Sequence, residues 1–290
     1  MNKDSYESLR EPMDMPDPHF PIKVHRNAFS QQGQVTFPHH FHEHLEFLYI
    51  VQGEASIECG STAITAKPGE LIVVNSNELH YGISLSSDLF YYALIADISL
   101  LHSQSADAAE TKFITPITQN RLLLRNHISE DGEAIGCVLS IIRELEQREF
   151  GYELAVKAEL YRLMTRLLRG HVATVLTQVE HDERMKNLER FAPVFQHIEN
   201  HYKDELSVDR LARMASLSRF HFSRLFKELT GHTVTEYVTM TRLNKADHLL
   251  RHSPLTISEI AAATGFNDIY YFSRTYKKHK QATPSSVRGN

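Results

Sequence analysis

Two groups of residues in this 290-residue chain have types and spacings suited to recognition chemistry. The first is written twice, at 206–227 and 255–277. Each copy has an apolar–Ala pair (Leu211-Ala212, Ile260-Ala261), a turn, and then Phe-Ser-Arg-x-aromatic-Lys, from Phe222 to Lys227 and from Phe272 to Lys277. The second copy has one extra residue in its turn, within Gly265-Phe266-Asn267-Asp268. Phe222, Leu225, Phe226 and Leu229 recur at the spacing of one buried helical face, so Arg219, Phe220, Ser223, Arg224 and Lys227 are left on the other. Ile269, Tyr270, Ser273, Arg274 and Lys277 hold the matching positions in the second copy. A guanidinium such as that of Arg224 or Arg274 can grip a guanine edge through two hydrogen bonds, while Arg219 and Lys227 suit phosphates. One such charged face could belong to an ordinary helical bundle; a matched second copy makes that reading hard to sustain.

The second group is His40, His42 and Glu46, with Gly53, Pro68, Gly69 and Asn75 following, and then His80. On a strand, His40, His42 and Glu46 share one parity and project to the same side. With His80 they form a three-imidazole, one-carboxylate set. Such a set can contact a small polar effector or hold a first-row divalent metal. These residues alone assign no metal. His39 and His44 are read as surface histidines, and Phe47, Tyr49, Tyr81, Phe90 and Tyr91 as core.

These side chains need elements to position them. Ser207 and Ser218 stand where side-chain oxygens cap helices, and Gly231 stops the second helix. Between the copies, 234–252 reads as one helix closed by Ser253-Pro254. At about 1.5 Å per residue it approaches 30 Å, near the roughly 34 Å between successive major-groove faces. Leu188, Phe191, Phe195, Ile198 and Tyr202 predict a preceding helix, with Pro193 tolerable only in its opening turn. Upstream, 45–51, 55–59, 63–66, 70–74 and 89–96 are short β-type runs bounded by turn residues, as in a small antiparallel barrel or jelly roll. Apolar stripes at 134–148 and 156–167, separated by Phe150-Gly151, predict a helical hairpin.

The resulting fold class is α+β with two domains: an N-terminal antiparallel β-barrel carrying a helical hairpin, and an all-α C-terminal domain. Residues 1–21 read as an arm, 22–171 as the β domain with its hairpin, 172–186 as a linker and 187–290 as the DNA-binding domain. Charge follows this division. The last 104 residues carry 15 Lys+Arg against 10 Asp+Glu, within a chain whose net charge is −5. A basic module on an acidic body suits phosphate binding. Two cysteines, Cys59 and Cys137, are too few for a disulfide framework, and no signal peptide or membrane span is evident, so a cytoplasmic protein is expected.

The C-terminal hundred residues resemble the AraC/XylS family of bacterial transcription regulators. The resemblance rests on Ala212, Ser218, Phe222-Ser223-Arg224, Phe226-Lys227, Gly231, Tyr237, Arg242, Ala246, Leu250, Gly265-Phe266, Phe272-Ser273-Arg274, Lys277 and 284–288. Ser216 and Gln281 stand where the family often has Gly, and Val287 where it has an aromatic. The N-terminal histidine pattern is similar to that of cupins. The resemblance implies base contacts from Arg219, Phe220, Ser223 and Arg224 and from Ile269, Tyr270, Ser273 and Arg274. It also implies an effector in the cupin domain, plausibly a sugar, a homodimer built on the helical hairpin, RNA polymerase as a partner, activation rather than repression, and no catalysis. The alternative is a metal-dependent cupin enzyme, an isomerase or dioxygenase, fused to a DNA-binding tail.

Overall fold

The computed structural model describes residues 9–12, 14–102 and 107–288. Strands β1 (Ile22–Phe29), β2 (Val35–His40), β3 (Leu45–Gln52), β4 (Ala55–Cys59), β5 (Thr62–Ala66), β6 (Leu71–Val74), β7 (His80–Ser84) and β8 (Leu89–Ala96) are followed by the short strands β9 (Leu122–Leu124), β10 (His127–Ile128) and β11 (Val172–Val175). They form a five-stranded antiparallel sheet, β1-β8-β3-β6-β10, a four-stranded sheet, β2-β7-β4-β5, and the pair β11-β9. All five strand runs expected from sequence are present. The short strands β9, β10 and β11 are added, as are β1, β2 and β7, whose polar and histidine-rich sequences masked them.

Both faces of the five-stranded sheet are covered, which explains the nearly continuous apolar run of β3. Leu48, Ile50, Ile72 and Val74 pack toward the four-stranded sheet, against Ile57, Cys59 and Ile64. Leu45, Phe47, Leu71 and Val73 pack the other way, against the helical hairpin α2 (Gly132–Gln147) and α3 (Tyr152–Gly170) through Val138, Ile141, Leu160 and Leu163. The hairpin, which follows the short helix α1 (Thr115–Thr118), turns at Arg148 and Gly151, both at positive φ.

The C-terminal part comprises α4 (Gln178–His201), α5 (Val208–Met214), α6 (Arg219–Thr230), α7 (Val234–His252), α8 (Ile257–Ala263), α9 (Ile269–Lys280) and α10 (Pro284–Arg288). Thr177–Glu180, Thr233–Glu236 and Thr256–Glu259 form reciprocal capping boxes at the starts of α4, α7 and α8. Ser218 caps α6 through the His221 amide, whereas Ser207 begins α5 without a side-chain cap bond, contrary to the sequence expectation. α4 begins inside the stretch read as linker, and β11 pairs within it, so 172–186 contains ordered structure. Pro193 therefore falls in the helix interior rather than its first turn. The missing N–H is offset by burial of Phe191, Val194, Phe195 and Ile198 along the same helix.

Helix α7 is shared between two cores. Its first half gives Val234, Tyr237 and Val238 to a cluster with Phe191, Phe222 and Phe226. Its second half gives Leu243, Ala246 and Leu250 to a cluster with Ile260, Phe272 and Tyr276.

Ser216 and Gln281, the two departures from glycine, both adopt φ 55°. A side chain in this left-handed region costs about 1–2 kcal/mol, partly offset by the freedom glycine has when unfolded. Ser216→Gly and Gln281→Gly should each raise stability by up to about 1 kcal/mol, read as a higher midpoint in urea; unchanged or lower midpoints would show that the turns are not strained.

Candidate functional site

On α6, Phe222, Leu225 and Phe226 are buried and Leu229 half-buried, leaving Arg219, Phe220, Ser223, Arg224 and Lys227 exposed. On α9, Phe272 and Tyr276 are buried. Ile269, Tyr270, Arg274 and Lys277 are exposed, and Ser273 is half-buried. Phe220 is 82% and Tyr270 78% exposed, an unusual disposition for large aromatic groups on well-packed helices. Arg219 lies 3.0 Å from Asp209 and Arg224 lies 2.9 Å from Glu228, so exposed carboxylates hold both guanidinium groups in place. A groove of about 450 Å³ runs between α7 and α9, lined by Thr235, Thr239, Tyr271, Arg274, Lys278 and His279 among others. Tyr271 and Lys278 escaped sequence reasoning because only one of the two repeats carries them in that form. Arg242 ties α7 to the turn after α4, its guanidinium donating to the carbonyls of Tyr202 (2.6 Å) and Asp204 (2.8 Å).

The second site gathers His40, His42, Glu46 and His80, each offering one ligand atom, with all four atoms within 4.8 Å of one another. The parity argument from sequence does not describe how they meet. His40 ends β2, His42 lies in the connection, and Glu46 is in β3. Convergence comes instead from strand pairing, since His40 stands directly opposite His80 in the β2–β7 ladder, ring centres 4.0 Å apart. Asn75 braces the turn leading to His80, its amide group exchanging hydrogen bonds with the Leu124 backbone at 2.7 and 3.0 Å.

All three imidazoles are oriented from behind. Nδ1 of His40 meets the Pro38 carbonyl at 2.8 Å, Nδ1 of His42 the His44 carbonyl at 3.1 Å, and Nδ1 of His80 the Glu78 carbonyl at 2.8 Å. A carbonyl only accepts, so each Nδ1 carries a proton and each Nε2 is turned toward a carboxylate, that of His40 toward Glu11 and those of His42 and His80 toward Glu46. His42 Nε2 lies 3.2 Å from Glu46 Oε2. His80 Nε2 is equally close to that oxygen but not aligned for a hydrogen bond, and so lacks a hydrogen-bond partner. The donor set and its outer carbonyls fit a first-row divalent cation.

Burial works against charge on Glu46, but His42 and His80 hold its carboxyl well below the usual range. Burial, aided by neighbouring His40, pushes His80 down to about 4. For His40 burial acts the same way, yet the Glu11 carboxylate at 3.0 Å, with Glu46, the Pro38 carbonyl and the charge on Glu11, raises it overall. Glu11 belongs to the segment read as a mobile arm. Residues 9–11 run beside Phe41, with backbone bonds Glu11 N–H to Phe41 C=O (2.9 Å) and Phe41 N–H to Leu9 C=O (2.8 Å). Residues 1–8 and 13 of the expected arm lie outside the described residues. His39, expected at the surface, is buried against Tyr81 and Tyr237, and burial lowers its pKa to about 3.

Comparison with known proteins matches both halves. A family profile described as an AraC-like ligand binding domain covers residues 27–164, and one described as a helix-turn-helix domain covers 211–290. The chain belongs to the AraC family of transcriptional regulators. Among its relatives are an uncharacterized HTH-type transcriptional regulator, YdeC of Bacillus subtilis, 22% identical over 97% of this chain and 96% of that one, and the HTH-type transcriptional activator RhaS of Escherichia coli, 24% identical over 88% of each. A crystal structure of unsaturated fatty acid bound ToxT from Vibrio cholerae aligns over 92% of this chain and 94% of that one, at 13% identity and a TM-score of 0.45. This AraC-family regulator thus joins a ligand-binding domain of antiparallel sheets to a DNA-binding domain with two helix-turn-helix units. No helix among the described residues is long and apolar enough to cross a membrane.

Because Glu46 has a depressed pKa in the folded regulator, its ionised form contributes stability that is fully present above its unfolded value, about 4.3, and is lost as pH falls through the lower folded value. Denaturation of wild type and Glu46→Gln across pH 2–7 should show the wild-type advantage shrinking toward the acid end. A difference that is flat across the range would mean that Glu46 is not held ionised by its neighbours.

Proposed function

We propose that this regulator is a cytoplasmic, homodimeric activator that reads DNA with Arg219, Phe220, Ser223, Arg224 and Lys227 on α6 and with Ile269, Tyr270, Ser273, Arg274 and Lys277 on α9, under control of a small ligand at His40, His42, Glu46 and His80. The observation that carries the DNA reading is the pair of matched polar faces, each left largely exposed by a helix whose other side packs into a core. Arg224 and Arg274 act as base readers, and Lys227 and Lys277 as phosphate contacts. Dimerisation uses the hairpin, where Leu154 and Tyr161 are exposed on α3. Among the charged residues of the hairpin, Glu146 is engaged by Arg26, Arg166 by Asp131 and Arg162 by Glu159 within the chain. RNA polymerase is the partner expected of an activator, and the chain performs no catalysis.

For the ligand, the convergence of three imidazoles and a carboxylate favours a divalent cation over direct contact with a sugar. Four donor atoms within 4.8 Å of one another enclose a space of ionic size. A bound cation supplies a Lewis-acidic anchor for a polar effector's oxygen. His40, His42, Glu46 and His80 would hold it, while Pro38, His44 and Glu78 keep the rings oriented through their carbonyls.

Arg224→Ala and Arg274→Ala should each reduce discrimination between the operator and random duplex by about 1–3 kcal/mol, whereas Lys227→Ala should weaken both duplexes and flatten the salt dependence. Equal weakening of both duplexes by the arginine variants would reassign them to phosphates. For the ligand site, equilibrium dialysis against zinc, nickel and manganese ions should leave about one ion per chain at pH 7.5 and progressively less as the imidazoles protonate. His42→Ala should abolish retention; wild-type protein that retains none returns the site to a purely organic effector.

A further inference from the structure

The four-stranded sheet has different business on its two faces. On the inner side, His40 and His80 border the ligand cluster, and Cys59 on β4 stands opposite His80. Successive residues of a strand point to opposite faces, so their chain neighbours His39, Tyr81 and Glu58 point outward. All three meet the DNA-binding domain. His39 stacks on Tyr81, ring centres 4.5 Å apart and planes 11° from parallel, and its ring lies 4.6 Å from that of Tyr237 on α7. The Tyr81 hydroxyl donates to Asn244 Oδ1 on α7 at 3.1 Å, and the buried Lys280 ammonium at the end of α9 donates to the same oxygen at 2.8 Å. Glu58 Oε2 lies 2.9 Å from Nε2 of His232, in the turn between α6 and α7, and 3.8 Å from Nε2 of His39.

The backbones are also close. A Cβ on Gly33 would fall 2.6 Å from the Lys280 carbonyl oxygen, and one on Gly231 would fall 3.2 Å from Ser61 Cα. His232 and Gly231 follow the first reading helix, Lys280 ends the second, and Tyr237 and Asn244 lie on the helix between them. A single sheet therefore touches both helix-turn-helix units and their spacer, while Phe220, Arg224, Tyr270 and Arg274 remain exposed.

We infer that the outer face of β2, β7 and β4 is an intramolecular clamp that fixes the two reading helices relative to one another, and that occupancy of the inner-face site at His40 and His80 sets this clamp. The second clause rests on the ligand-site reading above. The physical link is short. A ligand that draws His40 and His80 together moves β2 against β7, and each backbone carries its next side chain, His39 or Tyr81, with it on the opposite face. Coupling of this kind is reciprocal, so the state of the clamp also alters affinity at the site.

The test uses the full chain, with hydrogen exchange of amides 231–252 as the readout and zinc ion as the probe. Without metal, Tyr81→Phe should accelerate exchange about fivefold, the factor expected for one lost hydrogen bond, and Asn244→Ala more than that, since it also removes the acceptor of the Lys280 ammonium. The double variant should exchange no faster than the faster single one. Wild-type rates in both single variants would overturn the clamp. Added zinc should change exchange in wild type but not in Glu58→Gln/Tyr81→Phe, although both retain the ion in dialysis. Retention of zinc without any change in wild-type exchange would sever the coupling. If zinc is not retained at all, the cation reading fails, and metal-free Glu46→Gln, with His42→Gln as a second variant in case the first does not fold, decides the inference alone. Altered exchange over 231–252 supports it, and unchanged exchange sinks it.

Discussion

Burial of helix α7 in two separate cores is the constraint on which the DNA-binding domain depends. Tyr237 is enclosed by Phe195 and Phe226 at one end, and Leu243, Ala246 and Leu250 pack on Phe272 and Tyr276 at the other. A helix held along its length by two clusters cannot rotate one cluster without carrying the other. The two reading helices are each pinned to α7 by their own aromatic residues, so their relation to one another runs through that helix. Buried polar groups strengthen the second connection. Asp247 accepts from the Tyr276 hydroxyl and from Arg251 at 2.8 and 3.1 Å, a network that leaves the carboxylate well satisfied inside the core.

A similar economy governs the β domain, where each covered sheet face has a distinct role. The five-stranded sheet separates a dry interior from the helical hairpin, so its strands are apolar on both sides. The four-stranded sheet separates the histidine cluster from the DNA-binding domain, so its strands alternate ligand-type and contact residues. That alternation explains why β2 and β7 do not look like strands in sequence. His39, His40, His80 and Tyr81 are all buried or nearly so, but for two different reasons, one on each face. His39 shows this most clearly. Its sequence neighbours suggest a solvent-facing ring, and its exclusion from water depends on a tyrosine about two hundred residues away.

Reading from sequence succeeded where local periodicity and caps carry the information. The twin helix-turn-helix units, the length of α7, the helical hairpin and five strands were all legible, because apolar spacing and turn residues act within a few positions. The same reasoning failed at Pro193, where tertiary burial of Phe191, Val194 and Phe195 sustains a helix through a residue that disfavours it locally. It failed at Ser207, whose position suits a cap that its side chain does not make. For the histidine cluster it named residues that the fold does bring together, but from the wrong geometry: parity along one strand would place His40, His42 and Glu46 together, whereas a chain reversal and the His40–His80 register do so.

What the sequence by itself determined is the inventory and the local grammar: two repeated recognition helices, a spacer of nearly fixed length, and four metal- or effector-type ligands. Hydrophobic spacing and side-chain caps act over a handful of residues, so those features are written where they occur. Tertiary structure alone decided which way the rings turn, through carbonyls of Pro38, His44 and Glu78, and which residues join the domains, through Glu58 to His232 and Tyr81 to Asn244. Those contacts join positions up to 174 residues apart. Their partners are chosen by how sheets and helices pack as whole bodies, and no short-range pattern in the chain encodes that choice.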